Sequence, residues 1–180
     1  MNLTDDGCNS ERDLVEALKH NDAGAFKVLY YKYLKPLIRF AWYRLHSVDV
    51  SRDLVQEVFF RVWMKRENLN PDKSFKAYLY KSLNNLIINY RKLGSTQTVS
   101  LEDESLRKRK YDEEKIDLEI DILNALEKLP EKMKTVFILS RTEGYKYSEI
   151  AEICGIAVKA VEKRMTKAFE MLRKFLGNVK

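Results

Sequence analysis

Three asparagines between two lysines, all at helical spacing, are the residues best suited to chemistry in this sequence. Asn84, Asn85 and Asn89 lie between Lys81 and Lys92, in a segment with the apolar periodicity of a helix. Asparagine is a poor residue for a helix interior, because its side chain competes with the backbone for hydrogen bonds. Amide groups bond well to base edges, and lysines bond to phosphates. The pattern therefore predicts a nucleic-acid surface, and the alternative is a solvated helix face.

A second basic helix follows a tight turn in the stretch YSEIAEICGIAVKAVEKRM. Ala151 permits close helix crossing, Gly155 supplies the backbone freedom of a turn, and Val161 packs inward. This spacing is typical of a helix-turn-helix, with Ser148 as the predicted N-cap of its first helix. The alternative is an ordinary helical hairpin with a solvated basic face. The predicted polar face of the second helix carries Lys159, Glu162, Lys163, Thr166, Lys167 and Glu170.

The stretch RDLVQEVFFRVW, residues 52–63, predicts a helix that buries one side and leaves Phe60 on the other. Asp53, Gln56 and Glu57 share the outer side with Phe60. Apolar area beside acidic and amide groups is typical of a protein-binding surface. The alternative, which the pattern leaves open, is a Phe60 side chain tucked against a neighbouring helix.

The elements that must position these residues are all helical. Glycine and proline are scarce, at 6 and 3 of 180 residues, and the first 90 or so residues show no alternating strand pattern. Helices are predicted over 10–20, from Asn21-Asp22 onward, over 52–66 with Ser51 as the cap, over 75–92, and from Pro130 onward. On the helix over 75–92, the residues predicted to point inward are Phe75, Leu79, Leu83, Leu86 or Ile87, and Tyr90. On the second helix of the helix-turn-helix, they are Val158, Val161, Met165, Phe169, Leu172 and Leu176.

Loss of apolar periodicity between Gly94 and Lys115 divides the chain. We therefore expect an all-α protein with two small helical domains, at 10–93 and 116–178, joined by a flexible linker at 94–115.

Charge is distributed unevenly along the chain, whose formal net charge is +6. Residues 65–92 and 158–180 each carry a net charge of +5, and residues 100–121 carry −4. Two basic segments on separate helices favour an anionic polymer as the partner.

Other classes of function find little support. The two cysteines, Cys8 and Cys154, and the single histidines His20 and His46 have no metal-site or disulfide spacing. The first residues are acidic and polar, unlike a signal peptide, and charges interrupt every apolar stretch. Motifs for nucleophilic or phosphate chemistry are missing. We expect no catalytic residue, no metal, no cofactor and no small-molecule substrate, and a cytoplasmic location.

The segments DLVQEVFFRVW, FKAYLYKSLNNLIINYRK and LEKLPEKMKTVFILSRTEGYKYSEIAEICGIAVKAVEKRM resemble, in order and spacing, bacterial RNA polymerase sigma factors of the extracytoplasmic-function (ECF) type in the sigma-70 family. The resemblance extends over about residues 10–176, and its last segment looks most like the Bacteroidetes branch. It implies two helical domains, called region 2 and region 4. It also implies a non-enzymatic protein that binds core RNA polymerase and reads the −10 and −35 promoter elements.

The resemblance also implies roles by position. The −10 element would meet the loop Lys65–Ser74 and the residues Lys81, Asn84, Asn85, Asn89 and Lys92. The −35 element would meet Lys159, Glu162, Lys163, Arg164, Thr166 and Lys167. The clamp coiled coil of the largest polymerase subunit would meet Asp53, Gln56, Glu57 and Phe60, and the polymerase flap is a further expected contact. An anti-sigma factor, often a membrane protein, is the other implied partner. Glu162 and Thr166 stand where some relatives have arginine and an aromatic residue, so the −35 sequence cannot be transferred from them.

Three alternatives remain at this stage. A helix-turn-helix regulator that is not a sigma subunit would need a ligand or receiver domain, which the helical first 90 residues do not suggest. An enzyme would need a catalytic constellation. A helical adaptor would lack DNA binding in the presence of core polymerase.

Overall fold

The structure, a computed structural model, describes residues 10–94 and 124–177, without the side chains of 94, 176 and 177. Within these ranges all regular secondary structure is helical, which confirms the all-α class. The helices are α1 (Glu11–Lys19), α2 (Ala23–Leu45), α3 (Val48–Met64), α4 (Phe75–Gly94), α5 (Glu131–Arg141), α6 (Tyr147–Cys154) and α7 (Val158–Gly177), with a 3-10 turn at Arg66–Asn68 and helical residues at 124–127. The predicted linker, apart from Gly94, lies outside the described residues.

Side-chain caps begin the first two helices where the sequence predicts them. Ser10 caps α1 and forms a capping box with Asp13, whose carboxylate accepts from the Ser10 backbone N–H. Asp22 caps α2 by accepting from the backbone N–H groups of Gly24 and Ala25, at 2.7 and 3.0 Å. Each cap satisfies backbone donors that have no partner inside the helix.

Two predicted caps are wrong. Ser47, not Ser51, caps α3; Ser51 is buried within the helix and donates its hydroxyl to the Ser47 carbonyl at 2.6 Å. Lys146, not Ser148, is the N-cap residue of α6, and its backbone N–H donates to the Glu149 carboxylate at 2.8 Å. In both places a serine with the right side chain already has helical backbone, so it cannot act as the extended cap residue.

Helices α1 to α4 form a first unit around a hydrophobic core. Its fully buried residues come from all four helices: Leu18, Leu29, Leu37, Phe40, Val55, Val58, Val62, Leu79, Leu83 and Ile87. Aromatic rings join α2 to α3 at one end, where Phe26 meets Phe59 and Trp63 edge-on. This packing sets the directions in which α3 and α4 present their outer faces.

Residues 124–129 and helices α5 to α7 form a second unit. Val136, Ile138, Leu139, Ile150 and Val161 are fully buried there. A smaller cluster joins 124–129 to α7 through Ala125, Leu126, Leu129, Ala168 and Leu172. The predicted inner stripe of α7 is right for Val161, Met165 and Leu172 and wrong for Val158 and Phe169, which are 40% and 38% exposed; Leu176 lies outside the described side chains. Ala168 is buried where the prediction placed Phe169.

The two units pack against each other, with α4 against α6 and α2 against α5. One continuous hydrophobic cluster runs from the core of the first unit into the second. At the contact the buried Tyr80 ring meets the Tyr145 ring edge-on, with 5.0 Å between centroids. The interface therefore buries apolar area as well as charge.

Replacing Leu37 by alanine should lower the free energy of unfolding by ~2–5 kcal/mol, because the side chain is fully buried and its loss leaves a cavity. The matched control is Val28→Ala on the same helix, where the native side chain is 53% exposed and the change should stay within about 0.5 kcal/mol. Denaturant unfolding followed by circular dichroism measures both. Equal losses would contradict the placement of Leu37 in the core.

Candidate nucleic-acid interface

Helix α4 has three distinct faces. Its core face carries Phe75, Leu79, Leu83, Leu86 and Ile87, all buried, so both of the alternatives at 86 and 87 point inward. Its outer face carries Lys81, Asn85, Asn89 and Lys92, all exposed, and Tyr90, which is 44% exposed where burial was predicted. Its third face carries Lys76, Tyr80, Asn84 and Arg91 and meets the second unit. The predicted set of asparagines is therefore divided between two faces.

The outer face is suited to nucleic acid. Asn85 and Asn89 lie one helical turn apart between Lys81 and Lys92. The amides of Asn85 and Asn89 have no hydrogen-bond partner within the described part of the chain, so both remain available to base edges. Adjacent ammonium groups suit the sugar-phosphate backbone.

Asn84 faces elsewhere. Its side chain is half-buried, and its carbonyl oxygen accepts a hydrogen bond of 2.6 Å from Arg44 Nη1. One residue corresponds to 100° around a helix, so Asn84 and Asn85 cannot share one face. Asn84 therefore lies at the contact between the two units in this conformation.

The loop Lys65–Ser74 is ordered by its own hydrogen bonds. Arg66 stacks its guanidinium 4.7 Å from the centre of the Trp63 ring and donates to the Trp63 carbonyl at 2.7 Å. Leu69 is buried, and Ser74 accepts from the Ala77 backbone N–H at 3.1 Å, which caps α4. The loop is thereby held beside the first turn of α4.

Helices α6 and α7 form the predicted helix-turn-helix. Gly155 ends α6 with φ 63° and ψ 42°, in the left-handed region that glycine adopts most readily. The Ile156 N–H then donates to the Ala151 carbonyl at 3.0 Å, which turns the chain toward α7. Ala151 and Val161 are buried, as their predicted roles in crossing and packing require.

The outer face of α7 carries five of the six residues predicted for it through the resemblance. Lys159, Glu162, Lys163, Thr166 and Lys167 are all exposed. The Thr166 hydroxyl donates to the Glu162 backbone carbonyl at 3.1 Å, so its oxygen is the atom left to accept from outside. Arg164 is half-buried and lines a cavity between the units together with Arg44 and Asn84. The arrangement exposes three lysines and one carboxylate on one helix face, and such groups can contact base edges and phosphates in a groove of double-stranded DNA.

A third surface lies on α3. Asp53, Gln56 and Phe60 are exposed, and Phe60 at 60% exposure is not tucked against a neighbouring helix. Glu57 is half-exposed and accepts from Arg61 Nε at 2.6 Å. Met64, one turn beyond Phe60, is 61% exposed and was missed by sequence reasoning, although its i+4 spacing from Phe60 was a usable signal.

The described residues offer little support for metal binding, for a reactive cysteine or for a membrane span. No group of three or more His, Cys, Asp or Glu side chains there could hold a metal ion. Burial raises the pKa of the half-buried Cys154 thiol, so its thiolate fraction at neutral pH is small. None of the described helices combines the length and apolar character of a membrane span.

Comparison with known proteins identifies both units. Residues 29–95 match the family model described as Sigma-70 region 2, and residues 119–172 match Sigma-70, region 4. The chain is 31% identical over 137 residues to the RNA polymerase sigma factor SigV of Bacillus subtilis, covering 75% of this chain and 81% of SigV. It is 24% identical over 180 residues to the RNA polymerase sigma-H factor of Pseudomonas aeruginosa, covering 92% and 93%.

Solved structures show the same fold. The chain matches CnrH in complex with the cytosolic domain of CnrY with a TM-score of 0.73 and 24% identity, over 94% of this chain and 99% of that one. It matches the sigma factor RpoE in complex with the anti-sigma factor NepR from Bartonella quintana with a TM-score of 0.69 and 27% identity, over 86% and 98%.

Replacing Gly155 by valine should lower the free energy of unfolding by ~1–2 kcal/mol, because an L-residue is strained in the left-handed region. The site itself is open, with no heavy atom within 4 Å of an added Cβ, so backbone strain is the whole effect. Gly155→Asn is the matched control, since asparagine tolerates this conformation better. Denaturant unfolding distinguishes the two, and equal losses for Asn and Val would contradict the strain account.

Proposed function

This chain belongs to the ECF group of sigma-70 factors and acts as a sigma subunit that initiates transcription, and we propose how its three surfaces divide that work. The observation that carries the proposal is that two helical units each present an exposed polar and basic face, while a third face exposes Phe60 and Met64. A helix-turn-helix regulator that is not a sigma subunit is not favoured, since region 2 and region 4 models both match.

The outer face of α4 is the surface we assign to the −10 element. A sigma subunit opens promoter DNA, and extruding a base costs a few kcal/mol that a polar pocket can offset. Asn85 and Asn89 supply amide donors and acceptors, and Lys81 and Lys92 supply charge for the backbone. The loop Lys65–Ser74, held against α4, forms the adjoining part of this site.

The outer face of α7 is the surface we assign to the −35 element. A recognition helix of a helix-turn-helix lies in the major groove with its first residues at base edges. Lys159 and Lys163 suit guanine edges or phosphates, and Glu162 suits a cytosine amino group. Arg164 joins them once it is released from the cavity between the units.

Core polymerase is the partner we assign to α3. Phe60 and Met64 provide apolar area, while Asp53, Gln56 and Glu57 provide a polar rim, which is the composition of a protein-binding patch. The proposed contact is the clamp coiled coil of the largest subunit, and region 4 is proposed to meet the flap. Binding both domains on polymerase converts two weak DNA contacts into joint binding through effective concentration.

We extend the proposal to regulation and location. The structure of RpoE with the anti-sigma factor NepR supports an anti-sigma partner for this chain as well, and we propose a membrane-bound one. The chain would work in the cytoplasm beside polymerase, by binding rather than by catalysis. The domain limits are proposed as region 2 at 10–93, a linker at 94–115 and region 4 at 116–178. The run LPEKMKTVFILSRTEGYKYSEIAEICGI supports the Bacteroidetes-like branch.

Run-off transcription with purified core enzyme on a promoter library tests the function directly. We expect transcripts that begin at defined sites, and an enriched sequence upstream of each start that gives both promoter elements. Random starts, or no binding to core enzyme, would overturn the proposal.

Replacing Asn85 by alanine should weaken promoter opening and leave core polymerase binding intact, because the exposed amide is assigned to a base and not to protein. Permanganate footprinting measures opening, and pull-down measures polymerase binding. Asn124→Ala, at an exposed asparagine outside the proposed sites, is the matched control. Phe60→Ala should have the opposite effect: it should weaken binding to core polymerase in the pull-down, because Phe60 is assigned to that contact and not to a base. Normal promoter opening by the Asn85→Ala variant would contradict the assignment of Asn85 to the −10 site.

Replacing Glu162 or Lys163 by alanine should cost ~1–3 kcal/mol in −35 binding if the residue reads a base. Gel-shift titrations of polymerase holoenzyme on matched and scrambled −35 sequences measure the difference. Glu170→Ala is the control, since Glu170 is exposed two turns further along α7. An equal loss on both sequences would reduce the contact to an electrostatic one with phosphates.

A further inference from the structure

The interface between the two units is built from opposite charges. Four cations of the first unit face three carboxylates of the second, which we together call the clasp. Its ion pairs are Arg44 with Glu131 at 2.9 Å, Arg39 with Glu143 at 2.8 Å, Lys76 with Glu149 at 3.2 Å, and Arg91 with Glu131.

Arg44 is the most deeply buried member of the clasp, with 1% of its surface exposed. Burial lowers the pKa of its guanidinium, and Glu131 of the second unit opposes that shift. Within its own unit, Arg44 bonds to the neutral Asn84 carbonyl and lies 5.5 Å from the centre of the Phe40 ring. An ionised side chain this deep needs an opposite charge, so the buried state of Arg44 depends on Glu131.

The remaining pairs extend the clasp along α2 and α4. Arg39 donates to both oxygens of Glu143, whose side chain is 2% exposed, and the Tyr80 hydroxyl lies 3.3 Å from the same carboxylate. The Lys76 ammonium lies 3.5 Å from the centre of the Tyr145 ring. The interface thus joins a bidentate pair, a cation–π contact and packed aromatic rings.

This closed arrangement cannot reach two promoter elements at once. The names −10 and −35 place the elements about 25 base pairs apart, or ~85 Å at ~3.4 Å per pair. A single compact body of this size is about 40 Å across. The roughly 30 residues between Gly94 and Asn124 span at most ~100 Å, so the covalent connection itself permits separation.

We propose that the clasp is an autoinhibitory contact: region 4 carboxylates hold region 2 cations, and the units must separate before the promoter is engaged. The proposal rests on the proposed sigma function. In the closed form Asn84 and Arg91 of α4 are bound to the clasp and Arg164 lines the cavity beside it. Phe60 remains exposed in that form, so α3 can contact polymerase before the units separate, whereas joint binding of both units to polymerase requires the open form.

The chemistry of the clasp makes it reversible. Buried ion pairs contribute little net stability, because the attraction roughly offsets the loss of hydration. Opening returns Arg44 to water and releases the other three cations, which are already partly exposed, to any phosphates or acidic surface that polymerase and promoter supply. Removing the Glu131 carboxylate, in contrast, penalises only the closed form, because that form buries Arg44.

The test compares the full chain with the double variant Glu131→Gln, Glu143→Gln. Small-angle X-ray scattering measures the radius of gyration of the free protein, and fluorescence anisotropy measures binding to core polymerase. We expect a larger radius of gyration and a roughly tenfold tighter apparent affinity, because more of the population is competent to bind. The control is Glu152→Gln, Glu170→Gln, which changes the same charge at exposed residues of α6 and α7 and should change neither quantity.

A second variant removes a cation of the clasp from the first unit. Arg39→Gln, at a side chain that is 52% exposed, should also open the chain, and its effect should not add to that of Glu143→Gln. Unchanged scattering in both variants would overturn the clasp, and so would opening without a gain in affinity in a chain that does bind polymerase. Opening in a chain that never binds polymerase would support the clasp and overturn the sigma function, so the two failures are distinguishable.

Discussion

The burial of Arg44 is the constraint on which the arrangement of the two units depends. A guanidinium keeps its charge at physiological pH, so a buried one needs a carboxylate or must return to water. The first unit provides an amide carbonyl at Asn84 but no acid, and the carboxylate comes from Glu131 at the start of α5. Once that pair forms, α5 is fixed against α2, and the carboxylates further along the second unit come within reach of Arg39 and Lys76.

The molecule uses its positive charge in two ways. Cations on the third face of α4 and on α2 form ion pairs with the second unit, whereas the lysines on the outer faces of α4 and α7 are exposed. This division between paired and exposed cations suits the proposed binding of DNA by both units. The inner cations determine how the two units pack in the closed chain, and the outer ones provide the positive charge that attracts a polyanion.

Sequence reasoning succeeded where one helix faces one core. Apolar periodicity gave the all-α class, most buried residues of α4 and the turn at Gly155, because these depend on local spacing and on a core within the same unit. It did not separate Asn84 from Asn85, because the third face of α4 is defined by contacts with residues 40 to 73 positions away in the sequence. It also assigned Ser51 and Ser148 as caps, because a serine side chain suits the role wherever the backbone is extended and the sequence does not report backbone angles.

The state of Cys154 has a consequence for how such a protein can be regulated. Peroxide attacks a thiolate, and the first product of that attack is a sulfenic acid. A thiol whose pKa burial has raised is mostly protonated at neutral pH and is therefore a slow target. Among the described residues, Cys154 is therefore poorly suited to detect oxidants, and a redox signal that reaches α6 arrives as a change in binding rather than as a covalent modification of Cys154.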